Sequence, residues 1–259
     1  MRIDEIVNTE IHQLAIAEWR QEKRATLREQ GAVAMTGFLR SGALNRIQQE
    51  AEQGFTSAYF NPQTHNIYLT SPDPALPADH IRNREVSSSK GCICDDVIAP
   101  ASPLKQLYHD PLFKAALCDI LEEDALYPYA DNLSSVNIHY ARHGEELGWH
   151  FDNSSFAVTL MIQPASKGGA FEYVRDVRNA DTGDMGFQAC NDILAGTTPP
   201  KELQMQAGDL LLFRGRNSLH RVTPVEDGSM RQLAVLAYNN TAGVSLSEHA
   251  MKTFYGRTG

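Results

Sequence analysis

The sequence predicts an α+β protein in which helices come first and an antiparallel β-sandwich or jelly roll follows. Two observations predict it. Apolar residues at helical spacing are confined to the first half, and from about residue 133 the pattern changes to short strand-like runs. In chain order, residues 4–29 read as helix, with Ile6, Ile11, Leu14, Ala15 and Trp19 on a 3–4 spacing. "GAVAMTGFL" reads as a short strand, and "SGALNRIQQEAEQGF" as an amphipathic helix with Ser41 as N-cap. Residues 60–100 are rich in Pro, Ser and Asn and read as irregular. "SPLKQLYHDPLFKAALCDILEED" reads as two helices broken before Pro111, because proline disfavours helix at the residue before it. The strand-like runs are "SSVNIHY", "FAVTLMIQ", "GAFEYV", "DLLLF", "HRVTPV" and "RQLAVLAYN".

At 259 residues and 42% hydrophobic, the chain can bury a sizeable core, as one large domain as readily as two. No linker, internal repeat or low-complexity tract divides it. No apolar run approaches the ~18 residues of a membrane span, and the acidic N-terminus lacks the apolar core of a secretion signal, so a cytoplasmic protein without a membrane partner is expected. A net charge of −9 with no Lys/Arg cluster argues against nucleic acid and for a small-molecule partner. Oligomeric state is not legible, a homodimer being open. Cys92, Cys94, Cys118 and Cys190 lack paired zinc spacing and read as free thiols.

The stretch "GWHFDNSSF" sets His150 two residues before Asp152, at the edge of a buried strand. Nine His and 32 acidic residues in 259 positions give about one His-x-acid pair by chance, so the motif is weak by itself. A second copy, His143-Gly144-Glu145, lies in "ARHGEEL" and reads as a solvated turn. If the backbone at His150 is extended, residues i and i+2 project from one side and can share an ion. His220, just after the strand-like "GDLLLF", is the candidate third ligand. Two His and one carboxylate on one face leave three positions open, the arrangement of non-haem Fe(II) oxygenases. Arg231 opens the strand "RQLAVLAYN"; a guanidinium entering an apolar strand needs an anion, which the distal carboxylate of a dicarboxylate supplies.

"VNIHYARHGEELGWHFD", "KGGAFEYV", "AGDLLLF", "LHRVTP" and Arg231 resemble, in order and spacing over residues 136–240, the Fe(II)/2-oxoglutarate-dependent oxygenases. More narrowly, "YPYADNLSSVNIHY", "LGWHFDNSSFAVTL", "GGAFEYVRDVRN", "LFRGRNSLHRVTPV" and "FYGRTG" are similar to a bacterial subgroup of free-amino-acid halogenases and their hydroxylase relatives. The resemblance implies a double-stranded β-helix (cupin-like) core with N-terminal helices packed on it, in a single domain. Its parts would be a mainly helical 1–132, a jelly-roll core at 133–240 and a tail at 241–259. It implies Fe(II) on His150, Asp152 and His220, 2-oxoglutarate as co-substrate with its distal carboxylate on Arg231, O2 as oxidant, and Tyr140 facing the co-substrate, against a plain core role for that aromatic. In the halogenating relatives a small residue replaces the carboxylate and a halide takes its place. With Asp152 present, hydroxylation with release of succinate and CO2 is expected.

Substrate contacts are less legible. If Arg231 points inward, Leu233, Val235 and Ala237 share its face and that wall is apolar. Polar contacts then fall to Asn153, or to Arg82 and Arg84 in "HIRNREVSSSKG", whose plain reading is a solvated loop. The segment 175–204 is too long for a hairpin and is a candidate lid. Two other classes stay open: a cupin-like metal enzyme that does not use 2-oxoglutarate, and a non-catalytic ligand-binding jelly roll.

Overall fold

A computed structural model describes the chain from Met1 to Gly259. One antiparallel sheet has seven strands in the order β1 (Ala32–Met35), β11 (Leu210–Phe213), β8 (Ala157–Gln163), β13 (Arg231–Leu236), β6 (Val136–Ala141), β5 (Gly91–Ile93) and β2 (Tyr59–Phe60). The other has six: β10 (Lys201–Leu203), β9 (Phe171–Val174), β12 (Leu219–Val222), β7 (Leu147–His150), β4 (Glu85–Ser88) and β3 (Gln63–Asn66). The two sheets face each other as a double-stranded β-helix.

Strand alternation sorts the side chains of the larger sheet. On its outer face Val136, Ile138, Val158, Leu160, Ile162, Leu210, Leu212, Ala234 and Leu236 join a core with helices α2 (Ala17–Gln30), α3 (Ser41–Gly54), α4 (Pro103–His109) and α5 (Pro111–Leu121). Both faces of these strands are therefore covered, which is why "AVTLMIQ" and "LLLF" read as near-continuous apolar runs. Between the sheets Met161, Leu211 and Phe213 meet Tyr173, Phe171 and Met205, closing one end of the barrel and leaving the other hollow. No helix is long and apolar enough to cross a membrane.

Several expectations change. The helix read over 4–29 is two pieces, α1 (Ile3–Ile6) and α2. Between them Val7 bridges to Leu39; of the residues read as one stripe, Ile6, Leu14 and Trp19 are buried while Ile11 and Ala15 are exposed. Ser41 is the first helical residue of α3 rather than its cap; Arg40 holds the cap position without a side-chain bond. The break before Pro111 is observed, with Asp110 accepting from the N–H groups of Leu112 and Phe113 at 2.9 and 3.0 Å. Residues 60–100 are not structureless: β2 to β5 extend both sheets, so the part expected to be mainly helical supplies five strands. The segment 175–204 contains α6 (Phe187–Leu194) and β10, and packs on Tyr68, Trp149 and Phe151 behind the smaller sheet.

Candidate active site

His150 ends β7 and His220 lies in β12, and the two are direct cross-strand partners. Their rings therefore stand side by side, with centroids 4.1 Å apart. Asp152 lies just past β7, in the loop, and its backbone N–H donates to the Gly215 carbonyl at 3.1 Å. Its Oδ1 is 3.6 Å from His150 Nε2 and 3.4 Å from His220 Nε2. These three residues are the only group of three or more His, Cys, Asp or Glu whose donor atoms converge, all within 4.8 Å of one another.

Each imidazole is fixed from behind. His150 Nδ1 lies 2.8 Å from the Gly148 carbonyl and His220 Nδ1 3.0 Å from that of Ser218. A carbonyl only accepts, so Nδ1 carries the proton in both rings and each Nε2 lone pair faces Asp152. Burial, then the neighbouring His220, pulls the His150 pKa down to about 3, keeping the ring neutral and able to ligate. Burial opposes ionisation of Asp152, but His220, His150 and Lys90 outweigh it and hold the carboxyl below its usual range. Two imidazoles with Nε2 turned inward and a carboxylate on one face are a donor set that would suit Fe(II).

The loop that carries Asp152 is tied down by residues with no motif to betray them. A Cβ on Gly215 would lie 1.8 Å from Asp152 Oδ2, so only glycine leaves room for the carboxylate. Arg178 stacks over Phe151 at 4.2 Å, donates to the Arg216 carbonyl at 2.8 Å and reaches the Asp152 carbonyl at 3.4 Å.

The donors open into a cavity of about 900 Å³. Arg231 is buried on its wall, where Nε donates to the Gly169 carbonyl at 3.0 Å. Its two terminal nitrogens have no protein acceptor, and burial alone lowers its pKa to about 10. An anion with two oxygens would satisfy them. Leu233 and Val235 share its face, as alternation requires. Asn153 also lines the cavity, but Arg82 and Arg84 do not. Arg82 donates to the Ser71 carbonyl and lies over Tyr68, and Arg84 is exposed. Tyr140 points the other way: fully buried, it packs on Phe55 and donates to the Ala51 carbonyl at 2.7 Å. Its neighbour His139 faces the cavity instead, with Lys90 Nζ 2.9 Å from its Nδ1. None of 175–204 lines the cavity; its mouth is formed by residues within 61–72 and by helix α7 (Glu248–Tyr255). In the second His-x-acid copy, Glu145 is engaged by Arg142 and His143 bridges to Val225, outside the site. Cys92 and Cys94 pack as free thiols against Leu133, Met251 and Tyr255.

A family model described as halogenase D matches residues 16–255, so the chain belongs to the halogenase D family. Its fold is that of the 2-oxoglutarate–Fe(II) oxygenases. A member of that oxygenase family from Burkholderia pseudomallei is 17% identical, with 88% of this chain and 94% of that one aligned at a TM-score of 0.56. The non-heme α-ketoglutarate-dependent epimerase SnoN from nogalamycin biosynthesis is 14% identical over 86% and 84% of the two chains, at 0.60. HygX from Streptomyces hygroscopicus, solved with nickel, 2-oxoglutarate and hygromycin B, is 14% identical over 88% and 90%, at 0.54. No curated protein matches the chain.

Proposed function

We propose that the chain is an Fe(II)/2-oxoglutarate-dependent oxygenase that hydroxylates an unactivated C–H bond of a small molecule, a free amino acid or a derivative of one. The observation that carries this reading is Asp152, whose carboxylate completes a three-donor set with His150 and His220. The family name points to halogenation, but in the halogenating relatives that the sequence resembles a small residue stands here, and a carboxylate fills the place a halide would need.

Fe(II) with 2-oxoglutarate and O2 supplies the oxidising chemistry: R–H, 2-oxoglutarate and O2 become R–OH, succinate and CO2. The protein's share is positioning. His150 and His220 present Nε2 without rearrangement, because their Nδ1 protons are already committed to carbonyls. Arg231 offers two free N–H-bearing nitrogens to the distal carboxylate of the co-substrate, deep on an apolar wall where charge-assisted bonds are strongest. Leu233 and Val235 keep water from that wall and leave aliphatic surface for the substrate. The free-amino-acid reading draws on the similarity to the subgroup that acts on free amino acids.

The test is a screen of free amino acids and related metabolites for substrate-stimulated succinate formation under Fe(II) and air, with mass analysis of products. The expected hit gives a product heavier by one oxygen even in excess chloride. Stimulated turnover that survives Arg231→Met unchanged would exclude the assigned co-substrate site, and a protein that binds no 2-oxoglutarate would sink the reading.

A further inference from the structure

We propose that Lys90, backed by His139, is the residue that receives the carboxylate of the substrate, so that the substrate is a free amino acid bound through its carboxyl end. The proposal rests on the reading above and goes further by naming the contact. Lys90 lies between β4 and β5, and His139 on β6 is opposite Cys92 of β5 and Leu233 of β13. Both residues line the main cavity, and both also line a side cavity of about 230 Å³ that runs under α7, so they stand where the two join.

The chemistry at this junction is unbalanced. Burial, followed by the nearby Lys90 and Arg231, holds His139 well below its ordinary pKa, so the ring is neutral and accepts from Lys90 at 2.9 Å. An ammonium has three N–H groups, and His139 takes one. No carboxylate lies within ion-pair distance of Lys90, and burial lowers its pKa as expected for a cation short of a partner. Glu85, the other acid on the cavity wall besides Asp152, is exposed to solvent.

By formal charge, the metal and co-substrate would not require Lys90. Fe(II) and the Arg231 guanidinium together balance the Asp152 carboxylate and the two carboxylates of 2-oxoglutarate. The Lys90 ammonium is left over, and a second anion is what neutralises it. Leu147, Leu233, Val235 and Phe254 complete the surroundings, an apolar wall suited to an aliphatic side chain rather than to a second charge.

The proposal is tested by binding, not turnover. Protein loaded with Ni(II) and 2-oxoglutarate is titrated calorimetrically with the proteinogenic L-amino acids and with their amides, which lack the carboxylate charge. At least one acid is expected to bind, its amide roughly tenfold or more weaker, the scale of losing one charge-assisted hydrogen bond. Lys90→Met should bring the acid down to the level of its amide while 2-oxoglutarate affinity stays within about twofold, and Lys90→Arg should restore the preference for the acid. Arg231→Met should do the reverse and lose 2-oxoglutarate. Melting curves of each variant separate misfolding from lost recognition. The proposal is overturned if acid and amide bind alike, if none of the acids binds, or if Lys90→Met weakens 2-oxoglutarate as Arg231→Met does. In those cases intact 2-oxoglutarate binding by the wild type leaves the oxygenase reading standing; its loss in the wild type overturns that reading instead.

Discussion

The two sheets are built for different work. The seven-stranded sheet has its outer face sealed by four helices and its strands joined in long registers, Arg231 to Leu236 pairing without interruption with Ala141 to Val136. The six-stranded sheet has no strand longer than four residues and carries both histidines at facing positions, next to a register shift between His220 and Val222; the larger sheet has one such shift, at Gln232/Leu233. Its outer face is covered by a smaller cluster around Tyr68, Phe151 and Trp149. The larger core cluster lies on the first sheet and the converging donors lie at the second; Arg231, His139 and Thr159 are the polar residues that the first sheet sends into the cavity. The difference teaches that an irregular sheet can position ligands finely when local bonds do the fixing: two carbonyls hold the imidazoles, and Gly215 and Arg178 hold the Asp152 loop.

Breaking the smaller sheet's chemistry should have the largest effect at the metal. His150→Ala and His220→Ala should each abolish Fe(II) binding and turnover while leaving the far-ultraviolet circular dichroism unchanged; wild-type metal affinity in either would remove that residue from the ligand set. Gly215→Ala should weaken metal binding by roughly 10- to 100-fold, the scale seen when a group that orients a ligand is lost, because its Cβ collides with Asp152. Calorimetric titration with Ni(II) checks it, and an unchanged affinity would mean that the loop yields at no cost.

Acid should act more gradually. The folded pKa of His150 lies near 3, below the ordinary 6.5, so the unfolded chain takes up the proton first. Stability of the metal-free protein should therefore be fully present above about pH 6.5 and decline as pH falls towards 3. Urea titrations across that range in wild type and His150→Ala should show a shallower decline in the variant. The larger sheet offers the contrast. Leu160→Ala, at a fully buried site on its helix-covered face, should cost about 2–5 kcal/mol of stability and leave Ni(II) affinity unchanged. A matching loss of metal affinity would show that the two sheets are not independent.

The longer strands of the larger sheet, β6, β8, β11 and β13, were legible because both of their faces are buried. The converging group His150, Asp152 and His220 was legible through the resemblance to the oxygenases, since a His-x-acid pair alone arises about once by chance. What was hidden depended on partners distant in sequence. Strands β2 to β5 are two to four residues long, β3 and β4 mostly polar, and become strands by pairing with neighbours rather than by composition. The β6 sequence "VNIHYA" is buried on both faces, so alternation alone does not say which residue enters the cavity; the register with β13 sends His139 in and Tyr140 out. Gly215 is one glycine among 18, and only the Asp152 carboxylate beside it gives it meaning. Lys90 carries no motif, and its place on the cavity wall, where Arg82 and Arg84 nearby in sequence do not reach, depends on the pairing of β5 with β6.

The central claim is that Asp152 occupies the coordination place a halide would need. X-ray absorption at the iron edge of the protein loaded with Fe(II) and 2-oxoglutarate in excess chloride tests it without any knowledge of the substrate. The predicted first shell contains nitrogen and oxygen only and does not change when chloride is replaced by nitrate. A chlorine scatterer bound to the iron would contradict the account and return the protein to halogenation.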